Sequence, residues 1–467
     1  MKISVFGLGK LGAPLAAVLA SKGHDVIGVD VNAFAVEQVN RGRAPVAETG
    51  LAELLWQHRS RLSATTDGYQ AVLESDVVFI VVATPSEPWG GFSLRYVREV
   101  AGAVGQALRD SPRYRLIVLT STVMPGSTGG ELQAELERVS GRRCGPDFGL
   151  CYNPEFIALG SVLHDMRHPD LVLIGESDPE AGRQLASLYE ELCENRPPIA
   201  RMNFVNAELA KLSINTFVTT RISYANMLAR ICERLPGADV DVVTKAIGLD
   251  SRIGGKYLRG TTQYGGPCFP RDNRAMAAMA KVLGTPAALA EATDEINRQQ
   301  SSHLARVIRA RLPENGCVGI LGLSYKPHTD VVEASAGMSL AKELSRQEIT
   351  ARVYDPQAMQ AARAVLGDRV QYAESLKDCA RNCDCLVITV AWDEFRELDP
   401  EDLRRAEGRV LVFDCWRLLD PQRFAEVAVC LAPGLGPPEA GRVAAQGTLP
   451  VQAPLPRTGG EQLGRAA

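Results

Sequence analysis

The sequence predicts an α/β protein of two doubly wound parallel-sheet domains joined by a long central helix. Three stretches predict it. Residues 2–30 read as strand, glycine loop, helix, and a second strand ending in an acid. Asn203 to Glu233 contains neither glycine nor proline, and a second strand–turn–helix begins at Cys317. A length of 467 residues suggests about three domains. The boundaries read as 1–200 for the first α/β domain, 201–305 for a central helical domain and 306–430 for the second α/β domain. Residues 431–467 read as a disordered tail, rich in Pro, Gly, Ala and Gln and without apolar periodicity.

Hydrophobic residues make up 46% of the chain and charged ones 23%, as in ordinary globular domains. A net charge of −4 supplies no electrostatic footprint for nucleic acid or an anionic membrane surface. No apolar run approaches the ~20 residues needed to span a bilayer, and Met1 to Gly7 reads as a buried strand rather than a signal peptide. Eleven cysteines, irregularly spaced, do not make a disulfide framework, which points to a reducing cytoplasm.

In the first domain, Lys2 to Phe6 leads into Gly7-Leu8-Gly9-Lys10-Leu11-Gly12, a helical stretch from Ala13 to Ser21, and Val26 to Asp30. Gly7 permits the tight turn, Gly9 admits a pyrophosphate against backbone N–H groups, and Gly12 lets helix pack on strand. Asp30 stands where a carboxylate accepts both ribose hydroxyls and repels a 2′-phosphate, so the spacing favours NAD over NADP. The unit is Rossmann-like; the alternative is a glycine-rich turn without a cofactor.

Asp76 to Val82 and Leu116 to Leu119 read as buried central strands. They end in Ala83-Thr84-Pro85 and in Thr120-Ser121-Thr122, at the strand ends where ligands bind in open α/β sheets. These hydroxyls either floor a polar cleft or cap the next helices. Gly149 to Tyr152 runs into Asn153-Pro154-Glu155-Phe156. Pro154 forces Asn153 out of helical geometry, leaving Glu155 as either an acid/base group or a solvated first-turn residue. His164 and His168 have metal-pair spacing but no third ligand, so no metal is expected.

Across 203–233, apolar Val205, Leu209, Leu212, Met227 and Ile231 recur at mostly helical spacing. A helix of this length spans roughly 45 Å, enough to join two domains and offer a face to a second subunit. Glu208, Lys211 and Asn215, at i, i+3 and i+7, share one side; a salt-bridged surface face would explain them equally. In Tyr264-Gly265-Gly266-Pro267-Cys268-Phe269-Pro270-Arg271-Asp272, Cys268 is a candidate nucleophile and Asp272 a proton acceptor or orienter, although cysteines usually pack. The second α/β unit comprises Cys317 to Leu323, Ala351 to Pro356, Cys385 to Val390 and Val410 to Asp414. Its loop lacks the full glycine fingerprint, which fits a nucleotide-like ligand other than NAD. Cys379, Cys383 and Cys385 lack CxxC spacing and read as packing.

Taken together, these motifs resemble the UDP-glucose/GDP-mannose dehydrogenase family of nucleotide-sugar 6-dehydrogenases, over Met1 to about Asp420. The resemblance rests on Gly7 to Gly12, Ala83-Thr84-Pro85, Ser121-Thr122-Val123, and Asn153-Pro154-Glu155-Phe156. It continues through Glu208-x-x-Lys211-x-x-x-Asn215, Arg252-Ile253-Gly254, Gly265 to Asp272, and Gly322-Leu323-Ser324-Tyr325-Lys326-Pro327. It implies a four-electron oxidation of a sugar C6 alcohol to a carboxylate with two NAD⁺, UDP-glucose being the type of substrate most expected. Cys268, Lys211, Asp272, Asn215, Thr122 and Glu155 would be catalytic. Gly7, Gly9, Gly12, Asp30, Thr84, Pro85 and Thr122 would hold NAD. Glu155, Phe156, Lys211, Asn215, Arg252, Tyr257, Gly265 and Lys326 would contact the nucleotide sugar, with Arg252 reaching a neighbouring subunit's site in a homodimer built through the central helix. The chain departs from the family at Leu159, where a second Glu is usual, and at Arg271 in place of Lys. It also departs at Asp330 to Ser335, which lack Asp-x-Arg-Glu, and at Thr261-Thr262-Gln263 in place of a glycine-rich approach. The alternative function is a nucleotide-sugar-binding homologue impaired in catalysis.

Overall fold

The computed structural model describes residues 1–438. Its first sheet has eight strands, β1 (Lys2–Phe6), β2 (Asp25–Val29), β3 (Leu62–Thr65), β4 (Val77–Ile80), β5 (Leu116–Leu119), β6 (Gly149–Tyr152), β7 (Val172–Glu176) and β8 (Ile199–Met202). They lie in the order β3-β2-β1-β4-β5-β6-β7-β8. Along β4 and β5 every residue is buried, and successive side chains alternate between two cores. Val77, Phe79, Leu116 and Val118 join the one containing Ile3 and Val5, while Val78, Ile80, Ile117 and Leu119 join the one containing Phe6. The near-continuous apolar runs are therefore what a sheet covered on both faces requires.

One pairing breaks the parallel pattern, because β7 runs antiparallel to β6. After Tyr152 the chain stays at the carboxyl end of β6, carrying Glu155 and Phe156, instead of crossing back over a face.

The second sheet has six strands, β9 (Cys317–Leu321), β10 (Thr350–Tyr354), β11 (Gln371–Tyr372), β12 (Cys385–Ile388), β13 (Val410–Asp414) and β14 (Ala428–Leu431). All are parallel, in the order β11-β10-β9-β12-β13-β14. Both sheets thus place their first strand at the centre of a doubly wound order.

The helix Phe204–Cys232, the central helix below, links the first sheet to the middle of the chain. Asn203 caps it by accepting the Asn206 N–H at 3.0 Å. Its amphipathicity is inverted relative to a surface helix. Glu208, Lys211, Asn215, Thr219, Ser223 and Asn226 are buried, whereas Val205, Leu209, Phe217, Tyr224, Met227 and Ile231 are exposed. The surface salt-bridge explanation for Glu208, Lys211 and Asn215 is therefore wrong: they are 0%, 3% and 8% exposed.

The helix Ala288–Arg309 crosses the boundary expected at 305, and its Ala305 and Ile308 belong to the second sheet's core. The expected tail also needs correction where it is described. Gly434 accepts the Val240 N–H at 2.9 Å, Pro437 accepts that of Gly237 at 2.8 Å, and Gly436 donates to Ala238 at 2.8 Å. Proline and glycine there shape a strand-like pairing against residues 237–240, the segment that follows the central helix, rather than an unstructured run. Residues 439–467 of the expected tail lie outside the described residues. Among the described residues, no helix is long and apolar enough to cross a membrane.

Candidate active site

The carboxyl ends of β1, β4, β5 and β6, neighbouring parallel strands, lie side by side on one edge of the sheet, where a ligand cleft forms in open α/β sheets. Gly7 turns the chain with φ +95°, and a Cβ there would come within 2.5 Å of the Val81 carbonyl oxygen. A Cβ on Gly12 would lie 1.7 Å from the Gly7 oxygen, so no other residue lets the helix start against this turn. Gly9, by contrast, faces open space, on the side where backbone N–H groups of the helix start can meet phosphate. Asp30 accepts the Leu8 N–H at 2.7 Å on one oxygen and the Asn32 N–H at 2.8 Å on the other. It is half-buried, and lone pairs remain for ribose hydroxyls. These residues fit an NAD pyrophosphate and its adenosine ribose.

The Thr84 hydroxyl donates to the Thr122 carbonyl at 2.7 Å, and Ser121 donates to the Val82 carbonyl at 2.5 Å. The hydroxyls thus join the ends of β4 and β5, a third role beside ligand contact and helix capping. Pro85 is exposed at the same edge.

The central helix delivers its polar face to this cleft. Lys211 donates to the Glu155 carbonyl oxygen, its Nζ lies 3.7 Å from the Glu155 carboxylate, and it sits 4.5 Å over the Phe156 ring. Asn215 donates to Asp272 at 2.6 Å, and Arg271 approaches the other Asp272 oxygen at 3.2 Å. Asp272 is fully buried on the helix Phe269–Val282, at whose first turn it stands. Cys268 is the residue immediately before that helix. Cys268 is exposed as a residue, yet the surrounding protein desolvates its thiol. This desolvation, then Glu155 and Asp272, push its pKa up to about 11 against the opposing pull of Lys211 and Arg271. In the absence of ligand Cys268 is therefore a thiol rather than a thiolate at neutral pH.

The two glycines before Cys268 serve a purpose different from close ligand approach. A Cβ on Gly265 would meet the Ala334 carbonyl oxygen at 2.4 Å, and one on Gly266 the Tyr325 ring at 2.6 Å. The Gly266 N–H donates to the Glu333 carbonyl at 2.8 Å. Residues 325–335 form a strap from the second α/β domain that lies on the Cys268 loop. The same strap pairs Asp330 with Lys10 of the glycine loop at 2.9 Å. Gly265, expected to touch substrate, is thus covered on its α-carbon side by the strap.

Lys326, on the strap, is half-buried, and this desolvation lowers its pKa while Asp165 and Glu48 oppose the shift. Glu48 accepts the Gly160 and Val162 N–H groups at 2.9 and 3.0 Å, and Asp165 accepts that of Ala158 at 2.9 Å. Together they fix the loop after Phe156. Leu159 on that loop packs with Ile157 against the first domain's core. Arg252 is bonded to Asp250 at 2.6 Å with its side chain 87% exposed, and Tyr257 is exposed with φ +62°. Among the described residues, no hydrogen bond or ion pair joins these two to the Cys268 cluster. His164 and His168 stack at 4.6 Å, and Cys317 and Cys383 approach to 3.4 Å between sulfurs. No group of three or more possible ligands among the described residues is placed to hold a metal ion.

Sequence reasoning missed Glu48, Tyr325 and the role of Glu208. For Glu208 the signal was present in its spacing from Lys211 and Asn215. Tyr325 stands in the motif Gly322 to Pro327, but its packing on Gly266 is set by the fold, and Glu48 reaches the site only through tertiary packing and leaves no local pattern.

Three family models match the chain in succession: the NAD-binding domain of the UDP-glucose/GDP-mannose dehydrogenase family over residues 1–193, its central domain over 205–299, and its UDP-binding domain over 319–421. A UDP-glucose 6-dehydrogenase of Haloferax volcanii is 35% identical over 405 residues, covering 86% of this chain and 94% of the relative. A GDP-mannose 6-dehydrogenase of Pseudomonas putida is also 35% identical, over 414 residues, covering 85% and 93%. A solved UDP-glucose dehydrogenase of Pyrobaculum islandicum superposes with a TM-score of 0.84 at 35% identity, covering 93% of this chain and 98% of that one.

Proposed function

This chain belongs to the UDP-glucose/GDP-mannose dehydrogenase family, and we propose that it oxidises the C6 alcohol of UDP-glucose to the uronic acid through a covalent Cys268 intermediate. That it is an NAD-dependent nucleotide-sugar 6-dehydrogenase follows from the family and its relatives. The proposal adds the sugar nucleotide and the residues. The observation that carries it is that the charges of Glu155, Asp272, Lys211 and Arg271 all bear on the Cys268 thiol, with Lys211 paired to Glu155 and Asn215 to Asp272.

NAD⁺, when bound, accepts the hydride in each oxidation. In the first, the alcohol proton leaves through water to Asp272 while Lys211 steadies the developing alkoxide. In the second, the Cys268 sulfur bonds to the aldehyde carbon and its proton passes to the carbonyl oxygen. Lys211 and Asn215 flank that oxygen while C6 loses hydride and the hydroxyl loses its proton, leaving a thioester. A water positioned by Thr122, with Glu155 as base, then adds to the thioester and Cys268 leaves as the thiol. One alcohol, two NAD⁺ and one water give one carboxylate, two NADH and three protons. Burial raises the pKa of the free thiol, and the charges of Lys211 and Arg271 oppose that shift. Leu159 packs half-buried against the first domain's core, so a single carboxylate, Glu155, is assigned to hydrolysis.

Lys326 contacts the nucleotide sugar from the strap. The exposed apolar stripe of the central helix, Val205 to Ile231, takes a second copy of the chain, which brings Arg252 and Tyr257 to the neighbouring site. Light scattering that returned the mass of one chain would reject this dimer.

Incubation with NAD⁺ and a panel of UDP- and GDP-sugars tests the reading. It predicts two NADH per acid formed, with UDP-glucose the best substrate. Better turnover of GDP-mannose would reassign the nucleotide. Binding without NADH from any sugar would favour the impaired homologue.

A further inference from the structure

Glu208 is a carboxylate in an expensive place. It is 0% exposed and makes no ion pair among the described residues. Its two oxygens accept the N–H groups of Gly126 at 2.6 Å and Thr128 at 2.7 Å, and burial pushes its pKa up. An unpaired buried charge costs several kcal/mol in general, so a cheaper cap would serve if capping were the whole purpose. Ser127 stands at the N-cap of the helix that opens with the wide turn Thr128–Leu132, yet its hydroxyl makes no capping bond. The donors of that helix start are met instead by a residue from another element, eighty positions on.

What the remote carboxylate joins explains the arrangement. The loop it grips, 120–128, follows β5 and carries Thr122. One turn further along the same buried face, Lys211 meets the Glu155 carbonyl in the loop after β6. One turn beyond, Asn215 meets Asp272. Three side chains at i, i+3 and i+7 thus fasten the central helix to three separate segments of the cleft. Glu208 is the only one of the three that touches no residue to which a chemical step has been assigned.

We propose that Glu208 is a positioning residue for the oxidation: its two-pronged grip on Gly126 and Thr128 sets the register between Thr122 on the β5 loop and Lys211 and Asn215 on the central helix. A rail held at one end by directed bonds fixes its other side chains to within the tolerance that reacting groups need, and a displacement of about 1 Å costs on the order of 100-fold in rate. Gln in this place keeps the volume, but it offers one acceptor oxygen and turns an N–H₂ donor toward a backbone donor.

The test compares Glu208→Gln with the wild-type protein, using NAD⁺ and whichever of UDP-glucose or GDP-mannose the wild type oxidises. Calorimetric titration counts the chains that bind each ligand, and kcat is expressed per binding-competent chain. The expected result is ligand affinities within about threefold of wild type and a kcat per competent chain lowered about 30- to 100-fold. A purely structural role would lower the number of competent chains and leave kcat per chain unchanged, and that result would overturn the inference. A rise in KM with kcat intact would overturn it equally. Should Glu208→Gln not fold, Glu208→Asp, which keeps the charge and withdraws it by one methylene, carries the same comparison. The inference rests on the roles proposed for Lys211 and Thr122. Full turnover by Cys268→Ser would remove the covalent reading, whereas wild-type kcat per chain in Glu208→Gln would remove only this inference.

Discussion

The two α/β halves of the chain start from the same turn and put it to opposite uses. In both, a glycine with strongly positive φ ends the first strand, Gly7 at +95° and Gly322 at +102°. In both, a later glycine packs under it: a Cβ on Gly12 would lie 1.7 Å from the Gly7 oxygen, and one on Gly337 would lie 2.0 Å from the Gly322 oxygen. In both, an aspartate just past the second strand accepts the N–H after that first glycine at 2.7 Å, Asp30 from Leu8 and Asp355 from Leu323. There the likeness stops.

Asp30 is half-buried, and its bonds leave lone pairs free. Asp355 is 1% exposed and filled, accepting Leu323, Ser324, Gln357 and Ala358 N–H groups and the Ser324 hydroxyl, with the Trp392 indole N–H at 3.3 Å. The open position at Gly9 becomes Ser324, bonded to that same carboxylate. Gly7 and Gly12 stand five positions apart, Gly322 and Gly337 fifteen. The added residues are the strap, which crosses to the first half and lies on the Cys268 loop. One half keeps an open glycine loop that fits a dinucleotide; the other has closed that crevice and lays its lengthened loop on the segment before Cys268.

The sharpest way to break this comparison is at the strap. Gly265→Ala drives a methyl against the Ala334 carbonyl, 2.4 Å away in the present geometry, and displaces Cys268 from its partners. Turnover should fall at least about 100-fold, while NAD⁺ affinity measured by calorimetry stays within about twofold. Loss of NAD⁺ binding to the same degree would mean that the two loops are not separable.

The aspartates give the next largest contrast. Asp355→Ala leaves several buried donors unsatisfied and should lower stability by about 3 kcal/mol in urea unfolding, with little effect on NAD⁺ affinity. Asp30→Ala should leave stability within about 1 kcal/mol and weaken NAD⁺ by about tenfold or more, the usual worth of hydrogen bonds to a charged group. Equal effects of both substitutions on either quantity would erase the distinction.

The smallest effect belongs to Lys10 and Asp330, the one ion pair joining the glycine loop to the strap among the described residues. Both side chains are about half-exposed, so the pair is worth about 1 kcal/mol or less and weakens with salt. Asp330→Asn should raise the KM for nucleotide sugar no more than about threefold, with the difference vanishing at high ionic strength.

How much of this was legible in the sequence follows the range of the interactions. β1, β5, β6 and β13 have the predicted bounds, and the central helix differs by one residue at each end, because periodicity and the absence of glycine and proline are local facts. The Gly7–Asp30 unit was legible for the same reason. The closing of the second crevice was half-legible as an incomplete glycine fingerprint, but Trp392 lies some seventy residues from Ser324 and nothing local announces it. Gly265 reads from the sequence as a substrate contact, whereas its close approach is to the strap, because a glycine marks a close approach without saying by what. The polar inner face of the central helix read equally well as a surface, since spacing assigns residues to a side and only tertiary packing decides which side is in.

The central claim is that Cys268 carries the sugar covalently between the second oxidation and hydrolysis. Intact-mass measurement on protein quenched with acid during turnover with NAD⁺ and the nucleotide sugar tests it most directly. The account predicts a fraction of chains heavier by the sugar-nucleotide acyl group, mapped by peptide mass to Cys268, increased in Glu155→Gln and absent in Cys268→Ser. Steady production of uronic acid by Cys268→Ser at the wild-type rate, with no adduct on either protein, would contradict it.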